Sequence, residues 1–188
     1  MMRRVPRLSQ FVPARLLAAR RYGAVLLAGL LLLFSKPGFS GNENAGALKA
    51  AFLYNFALYT EWPVLPTSFE LCVAGRDDMG EALDALSRRQ VAGRSINVRR
   101  IDGNEVPASC NLLFVAASER GQCARWLGAV RGRPILTISD FGLHEEAQAM
   151  LHLHVEQGRL VFTASQSRAK GNGLSFSAKM LRLARAVD

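Results

Sequence analysis

Asn111-Leu-Leu-Phe-Val-Ala116 decides the fold. After its opening asparagine the run has no polar side chain to offer water, so it suits a central strand buried on both faces. Upstream, Ile96-Asn-Val-Arg-Arg-Ile101 alternates apolar and polar residues, which leaves one face wet, and Phe69-Glu-Leu-Cys-Val-Ala74 is a strand with partial alternation. Between those two, Asp77 or Asp78 can cap a helix that runs to about Arg89 with Met79, Leu83 and Leu86 inward. Downstream, Ser118 caps a helix from Glu119 to about Val130 whose inner face carries Cys123, Trp126 and Leu127. Pro134-Ile-Leu-Thr-Ile138 is the next strand.

Further out, Lys49-Ala-Ala-Phe-Leu-Tyr-Asn-Phe-Ala-Leu-Tyr-Thr-Glu-Trp-Pro63 places Leu48, Phe52, Asn55/Phe56 and Tyr59 on one helical stripe, within a helix over 45–60. Glu61-Trp-Pro63 ends it, because proline disfavours the helical region for the residue before it. Phe141 to Ala147 is a polar connection. Ala149-Met-Leu-His-Leu-His-Val155 and Arg159-Leu-Val-Phe-Thr163 flank Glu156-Gln157-Gly158 as a β-hairpin. Ser165 to Lys170 forms a short helix stopped by Gly171-Asn-Gly173. A closing helix spans Ser177 to Ala186, with Phe176, Met180, Leu183/Ala184 and Val187 as its stripe. The expected fold is α/β: a single domain with a mixed β-sheet flanked by helices and a late hairpin.

Residues 1–40 read as a signal peptide. Arg3, Arg4, Arg7, Arg15, Arg20 and Arg21 make a basic leader, and Ala24 to Phe34 is an apolar run of eleven residues. A membrane-spanning helix needs about 20 such residues. Lys36-Pro37-Gly38 breaks the run, and cleavage after Ser40 puts Gly38 at the −3 position. The flanks of Arg20-Arg21 fit the general secretory route better than a twin-arginine signal; an uncleaved short anchor is the other reading. The domain is then 41–188, and the expected location is the periplasm. The chain has 24 basic and 15 acidic residues, but seven of the basic ones lie in the leader, which leaves 17 against 15. The overall charge of +9 therefore does not imply nucleic-acid binding.

Cys72, Cys110 and Cys123 cannot all pair within one chain. Cys72 and Cys110 each open an apolar strand-like run, and Cys123 sits in a helical stretch. The expected pair is Cys72–Cys110, whose 38-residue loop would contribute roughly 4 kcal/mol in the chain-entropy picture. The alternative is three small buried hydrophobes.

Four constellations could carry chemistry. His152-Leu-His154 puts two imidazoles on one side of a strand, where His144 or Glu145 could complete a metal site; two histidines on the solvent face of a hairpin are the commoner outcome. Cys123 with a histidine could make a thiol nucleophile, but core filling is the commoner role. Gly75-Arg-Asp-Asp-Met-Gly80 lies where phosphate loops sit, yet lacks their lysine and carries two aspartates. Ser139 and Asp140 close a strand at the end where open α/β sheets hold ligands, and could equally cap the following turn. Trp62 and Phe141 are aromatics beside turns, either partner anchors or plugs of the core edge. No metal, cofactor or catalytic residue is expected.

Five segments, in order, resemble the YfiR (HmsC-like) family of periplasmic proteins. Lys49 to Pro63 resembles its entry helix, Leu71-Cys-Val-Ala-Gly75 its first strand, and Cys110-Asn-Leu-Leu-Phe114 its second cysteine-led strand. Gly132-Arg-Pro-Ile-Leu-Thr-Ile-Ser-Asp140 is similar to its Leu-Thr-Ile-Ser-Asp signature, and Leu174 to Arg185 to its closing helix. The resemblance implies an exported α/β domain that inhibits an inner-membrane diguanylate cyclase through the cyclase's periplasmic sensor domain. It also implies an outer-membrane lipoprotein that sequesters the repressor, a homodimer as one assembly, and a disulfide on the two cysteine-led strands. The chain departs from the family pattern at Gln148-Ala-Met-Leu151 and Phe162-Thr-Ala-Ser165, and has no second cysteine pair between His144 and His152. These departures fall in the hairpin and short helix, a region that relatives use for partner contact. Arg168 on that helix therefore joins Trp62, Ser139, Asp140 and Phe141 as candidates for binding a partner or ligand.

The expected function is a non-enzymatic repressor of such a cyclase, lowering cyclic-di-GMP and biofilm formation. The runner-up is a periplasmic small-ligand sensor acting on a histidine kinase or other receptor.

Overall fold

The computed structural model describes residues 41–64, 67–103, 105–141 and 149–188. The expected signal peptide, and His144 and Glu145, lie outside the described residues. Helix α1 (Gly41–Leu58) leads into a short strand β1 (Thr60–Glu61). A seven-stranded sheet follows, ordered β3-β4-β2-β5-β6-β7-β8. Its members are β2 (Phe69–Ala74), β3 (Gln90–Val91), β4 (Arg94–Ile101), β5 (Cys110–Val115), β6 (Leu136–Ser139), β7 (Leu151–Glu156) and β8 (Arg159–Ala164). The five inner strands run parallel, while β3 and β8 pair antiparallel at the edges. In chain order the parallel strands lie second, first, third, fourth, fifth across the sheet. The winding direction therefore reverses between β2 and β5, where sheets of this kind leave a crevice at the strands' carboxyl ends.

β5 occupies the centre, between β2 and β6, and its side chains serve two cores. Leu112 and Phe114 join Leu71, Val73, Leu136 and Ile138 on the face covered by α1 and by helix α2 (Gly80–Asp84). Leu113 and Val115 join Cys72 and Ala74 on the other face, under helix α3 (Cys123–Ala129). Asn111, the polar residue of the deciding run, falls at a break in register: Glu70 faces Cys110 while Leu71 faces Leu112. The Glu70 N–H donates to Asn111 Oδ1 at 2.8 Å, so the skipped residue satisfies the main-chain donor that the break exposes.

Helix α1 buries a different stripe from the expected one. Leu48 and Asn55 are exposed, and Tyr59 is half-buried. The buried side is Gly46, Ala50, Leu53, Phe56 and Ala57. Hydrophobicity pointed to the large residues, but close packing favours the small ones. A Cβ on Gly46 would collide with the backbone carbonyl of Asp78. Phe52 still contributes from the margin, its ring 6.0 Å from that of Phe162 on β8.

Other boundaries moved for tertiary reasons. The helix expected to reach Arg89 is α2 followed by a 3-10 turn (Ala85–Arg88). Asp77 Oδ1 accepts the N–H of Met79 (3.0 Å) and of Gly80 (3.3 Å). Ser118 caps nothing; its Oγ accepts the Arg76 N–H at 2.8 Å, and the segment Ala117–Gln122 is 3-10 before α3 begins. The expected hairpin is present as β7–β8, and the short helix α4 (Gln166–Gly171) is capped by Ser165. Three minor strands were unforeseen: β3, and β1 and β9 (Ser175–Phe176), which pair with each other.

The closing helix is a correction. Only α5 (Ala178–Leu181) is helical. The tail then runs extended beside β8: Arg185 N–H donates to Phe162 O (2.8 Å), Ala164 N–H to Ala186 O (3.0 Å), and Asp188 N–H to Ala164 O (3.2 Å). The open edge of β8 offers main-chain partners that helical periodicity does not record. Leu183 and Val187 are exposed, so they do not extend the stripe of Phe176 and Met180.

Candidate functional site: the carboxyl edge of the parallel sheet

β6 ends in Ser139 and Asp140, and each is held by a partner from another element. Ser139 lies opposite His152 on the β6–β7 ladder, with Oγ 2.6 Å from Nδ1. Both residues are buried. His152 therefore faces inward and is not one of two histidines on a wet hairpin face. Burial first, then the positive neighbours Arg168 and His154, push its pKa down to about 4; a hydrogen bond to the Ala149 backbone opposes this. The imidazole is neutral at physiological pH, and the pair is a closed internal contact.

Asp140 receives Lys49 of α1: Nζ donates to Oδ2 at 2.6 Å and also to Asp78 at 2.7 Å and 3.0 Å. The side chains are 7% exposed for Asp140 and 16% for Lys49. Burial opposes the lysine's charge, but the hydrogen bonds to Asp140 and Asp78 outweigh it, and its pKa is raised. Lys49 thus ties α1 to the turn after β2 and to the end of β6. Sequence reasoning missed it, although it is the only charged residue in 45–60, a stretch that otherwise packs as an apolar helix. Asp140 Oδ1 is buried and has no partner among the described residues.

On the other face, a cleft of about 190 Å³ opens between the carboxyl ends of β2 and β4 and the segment that follows β5, beside the reversal of winding. Gly75, Asp102, Glu119, Gln122, Arg125 and Trp126 line it. Gly75 has φ +85°, and a Cβ there would come within 2.5 Å of Ser118 Oγ and Glu119 Cγ, so the turn needs glycine on both counts. Trp126 Nε1 donates to Glu119 Oε2 at 3.1 Å, which joins two of the lining residues. The stretch Gly75–Gly80 does not wrap an anion: Asp77 and Asp78 are committed to Arg100 and Lys49.

The remaining candidates separate. Phe141 is buried beside Asp140 in sequence, with the Arg120 guanidinium 5.5 Å from its ring centre. Trp62 sits by the first residue of β2, its ring 5.3 Å edge-on from Phe69, at the opposite end of that strand from the cleft. Its indole N–H is buried without a partner among the described residues. Arg168 on α4 lies 3.6 Å from Asp188 and adds to the positive field on His152. Cys72 and Cys110 are bridged, with Cα atoms 6.1 Å apart. Cys123 is free and buried, and burial pushes its thiol up to about 11, the opposite of what a nucleophile needs. Among the described residues no three His, Cys, Asp or Glu side chains converge on a metal position, and no helix is long and apolar enough to cross a membrane.

The His152 shift predicts a pH effect. The folded value lies below the unfolded one of 6.5, so the unfolded chain takes up a proton that the folded chain refuses. The stabilisation is complete above pH 6.5 and is lost as pH falls toward 4. At pH 5 the loss should reach at most about 2 kcal/mol. Denaturant melts of the wild type and His152→Gln should converge as the pH drops; parallel curves from pH 7 to 5 would contradict the assignment.

A family model described as YfiR/HmsC-like matches residues 46–185.

Proposed function

This chain belongs to the YfiR/HmsC-like family, and from that premise we propose that it is a periplasmic regulatory protein. It binds the periplasmic sensor domain of an inner-membrane diguanylate cyclase and holds that enzyme inactive, lowering cyclic-di-GMP and biofilm formation. An outer-membrane lipoprotein that sequesters the repressor would relieve the inhibition. Differential affinity for two receptor conformations suffices for such control, with no chemistry in the regulator itself. The observation that carries the reading is the family match over most of the domain. The structure supports it in two ways. The bridged Cys72–Cys110 pair suits an oxidising compartment. The polar groups at the end of β6 are spent on internal partners: Ser139 on His152, and Asp140 on Lys49. Deleting the gene should raise cellular cyclic-di-GMP, and re-expression of the full chain should restore the lower level. Unchanged cyclic-di-GMP in the deletion strain would defeat the proposal.

The cleft beside Trp126 favours a second reading, a small-ligand sensor that reports to a histidine kinase or other receptor. Its volume suits a ligand smaller than a typical drug. A saturable thermal shift with one compound class, together with cyclic-di-GMP indifferent to the deletion, would select this reading.

A further inference from the structure

β4 is eight residues long, yet β3 lies along only its start, pairing Gln90 with Ser95 and Val91 with Arg94. The Ile96 N–H extends that contact by one bond, to Arg89 O at 3.3 Å. On its other side β4 is fully engaged, pairing with β2 from Ile96 to Ile101. Along a strand, main-chain groups point to alternate sides. Ile96 points outward to Arg89, so Val98 and Arg100 point outward too. No strand among the described residues pairs with them. They form a short open rail of donors and acceptors next to the cleft at Asp102.

The stretch that carries this rail is arginine-rich, with Asp84 and Asp102 at its two ends. Residues 85–101 contain five arginines and no aspartate or glutamate, although the domain as a whole has 17 basic against 15 acidic residues. Asp77 and Asp84 occupy Arg100. The Arg99 side chain is 55% exposed and only 3.8 Å from Glu70 at its nearest. A second copy pairing through the same edge would set arginines against arginines. An anionic surface or polymer would match the charge but leave the main-chain groups of Val98 and Arg100 unpaired. An extended acidic polypeptide satisfies both.

We propose that the outer edge of β4 from Ile96 to Ile101 docks an extended acidic segment of a protein partner by strand addition. The inference rests on the partner-binding reading and names the surface and the chemistry of that contact. Main-chain bonds to Val98 and Arg100 supply the register, and the surrounding arginines select the sign of charge.

The test uses the purified mature chain and two synthetic octapeptides, one alternating valine with glutamate and one alternating valine with lysine. Amide exchange should show the acidic peptide protecting Val98 and Arg100, with protection weakening as salt is raised, and the basic peptide protecting neither. Val98→Pro removes one outward N–H at a position where an edge strand tolerates proline, and should weaken binding about tenfold. Arg99→Ser leaves the backbone untouched and should weaken it by about threefold. Equal protection by both peptides, protection by neither, or wild-type binding by both variants would overturn the proposal. So would binding to phosphatidylglycerol vesicles with no response to the acidic peptide. In the deletion strain, exported and disulfide-intact Val98→Pro should leave cyclic-di-GMP high; full complementation counts against the edge. Should the deletion itself leave cyclic-di-GMP unchanged, the cyclase reading falls, and the peptide measurements still decide the edge.

Discussion

Replacing Cys72 and Cys110 together by alanine should lower the melting temperature by about 10 °C or more. The bridge spans 38 positions and ties β2 to β5, the two strands that flank the reversal of winding. Closing a loop of that length removes unfolded-state freedom worth about 4 kcal/mol in the chain-entropy picture. Alanine is the right replacement because both sulfurs are buried, and a serine hydroxyl there would add a desolvation cost unrelated to the cross-link. Thiol titration checks the pairing. The native chain should react negligibly, since Cys123 is buried with its pKa pushed up to about 11. The denatured, unreduced chain should show one thiol. A double variant that melts within about 2 °C of wild type would mean the bridge contributes little to stability.

Lys49→Met should cost about 3 kcal/mol, more than an exposed ion pair would. The reason is what remains. The Asp140 carboxylate is 7% exposed, and losing Nζ leaves neither oxygen with a partner among the described residues. Asp78 loses its contacts too, but it is partly solvated, so the larger share of the penalty falls on Asp140. Adding Asp140→Asn to Lys49→Met should recover more than half of the loss, because a neutral amide tolerates burial better than an unpaired charge. The pH dependence has a definite sign. The folded pKa of Lys49 is raised above 10.5, so its contribution is complete below that value and fades as pH rises through the folded one. Wild type and Lys49→Met should therefore approach each other in strongly alkaline solution. A single variant within about 1 kcal/mol of wild type at pH 7 would show that Asp140 finds another donor.

The architecture was legible where a segment's own residues dominate its environment. Asn111 to Val115 lies in a buried central strand because either face it turns is apolar, and β2, β6 and the β7–β8 hairpin followed from their own local patterns. Register was less legible. Gly46 and Ala50 belong to the buried side of α1, but nothing in their hydrophobicity says that Asp78 passes close enough to require a residue without a side chain. The tail after Leu181 carries a helical stripe, yet the unpaired edge of β8 is the stronger attraction, and it lies some twenty positions away in sequence.

The site divides in the same way. The position of Ser139 and Asp140 at a strand's end was legible, because it is a property of local sequence. Lys49 was not, because its role depends on three segments meeting, and its partner Asp140 lies 91 positions away. His152 looked like a surface histidine until its ladder position opposite Ser139 turned it inward.

By itself, then, the amino-acid order determined the six longer strands, the late hairpin, the cysteine pair and the family, because each is written in contiguous residues or in spacing along the chain. The tertiary structure alone decided which face of α1 is buried, that no strand among the described residues pairs with the outer side of β4 at Val98 and Arg100, and that the polar residues at the end of β6 are bound to partners within the fold. Those outcomes depend on distances between segments remote in sequence, where close packing and the pairing of buried charge and main-chain groups override local preference.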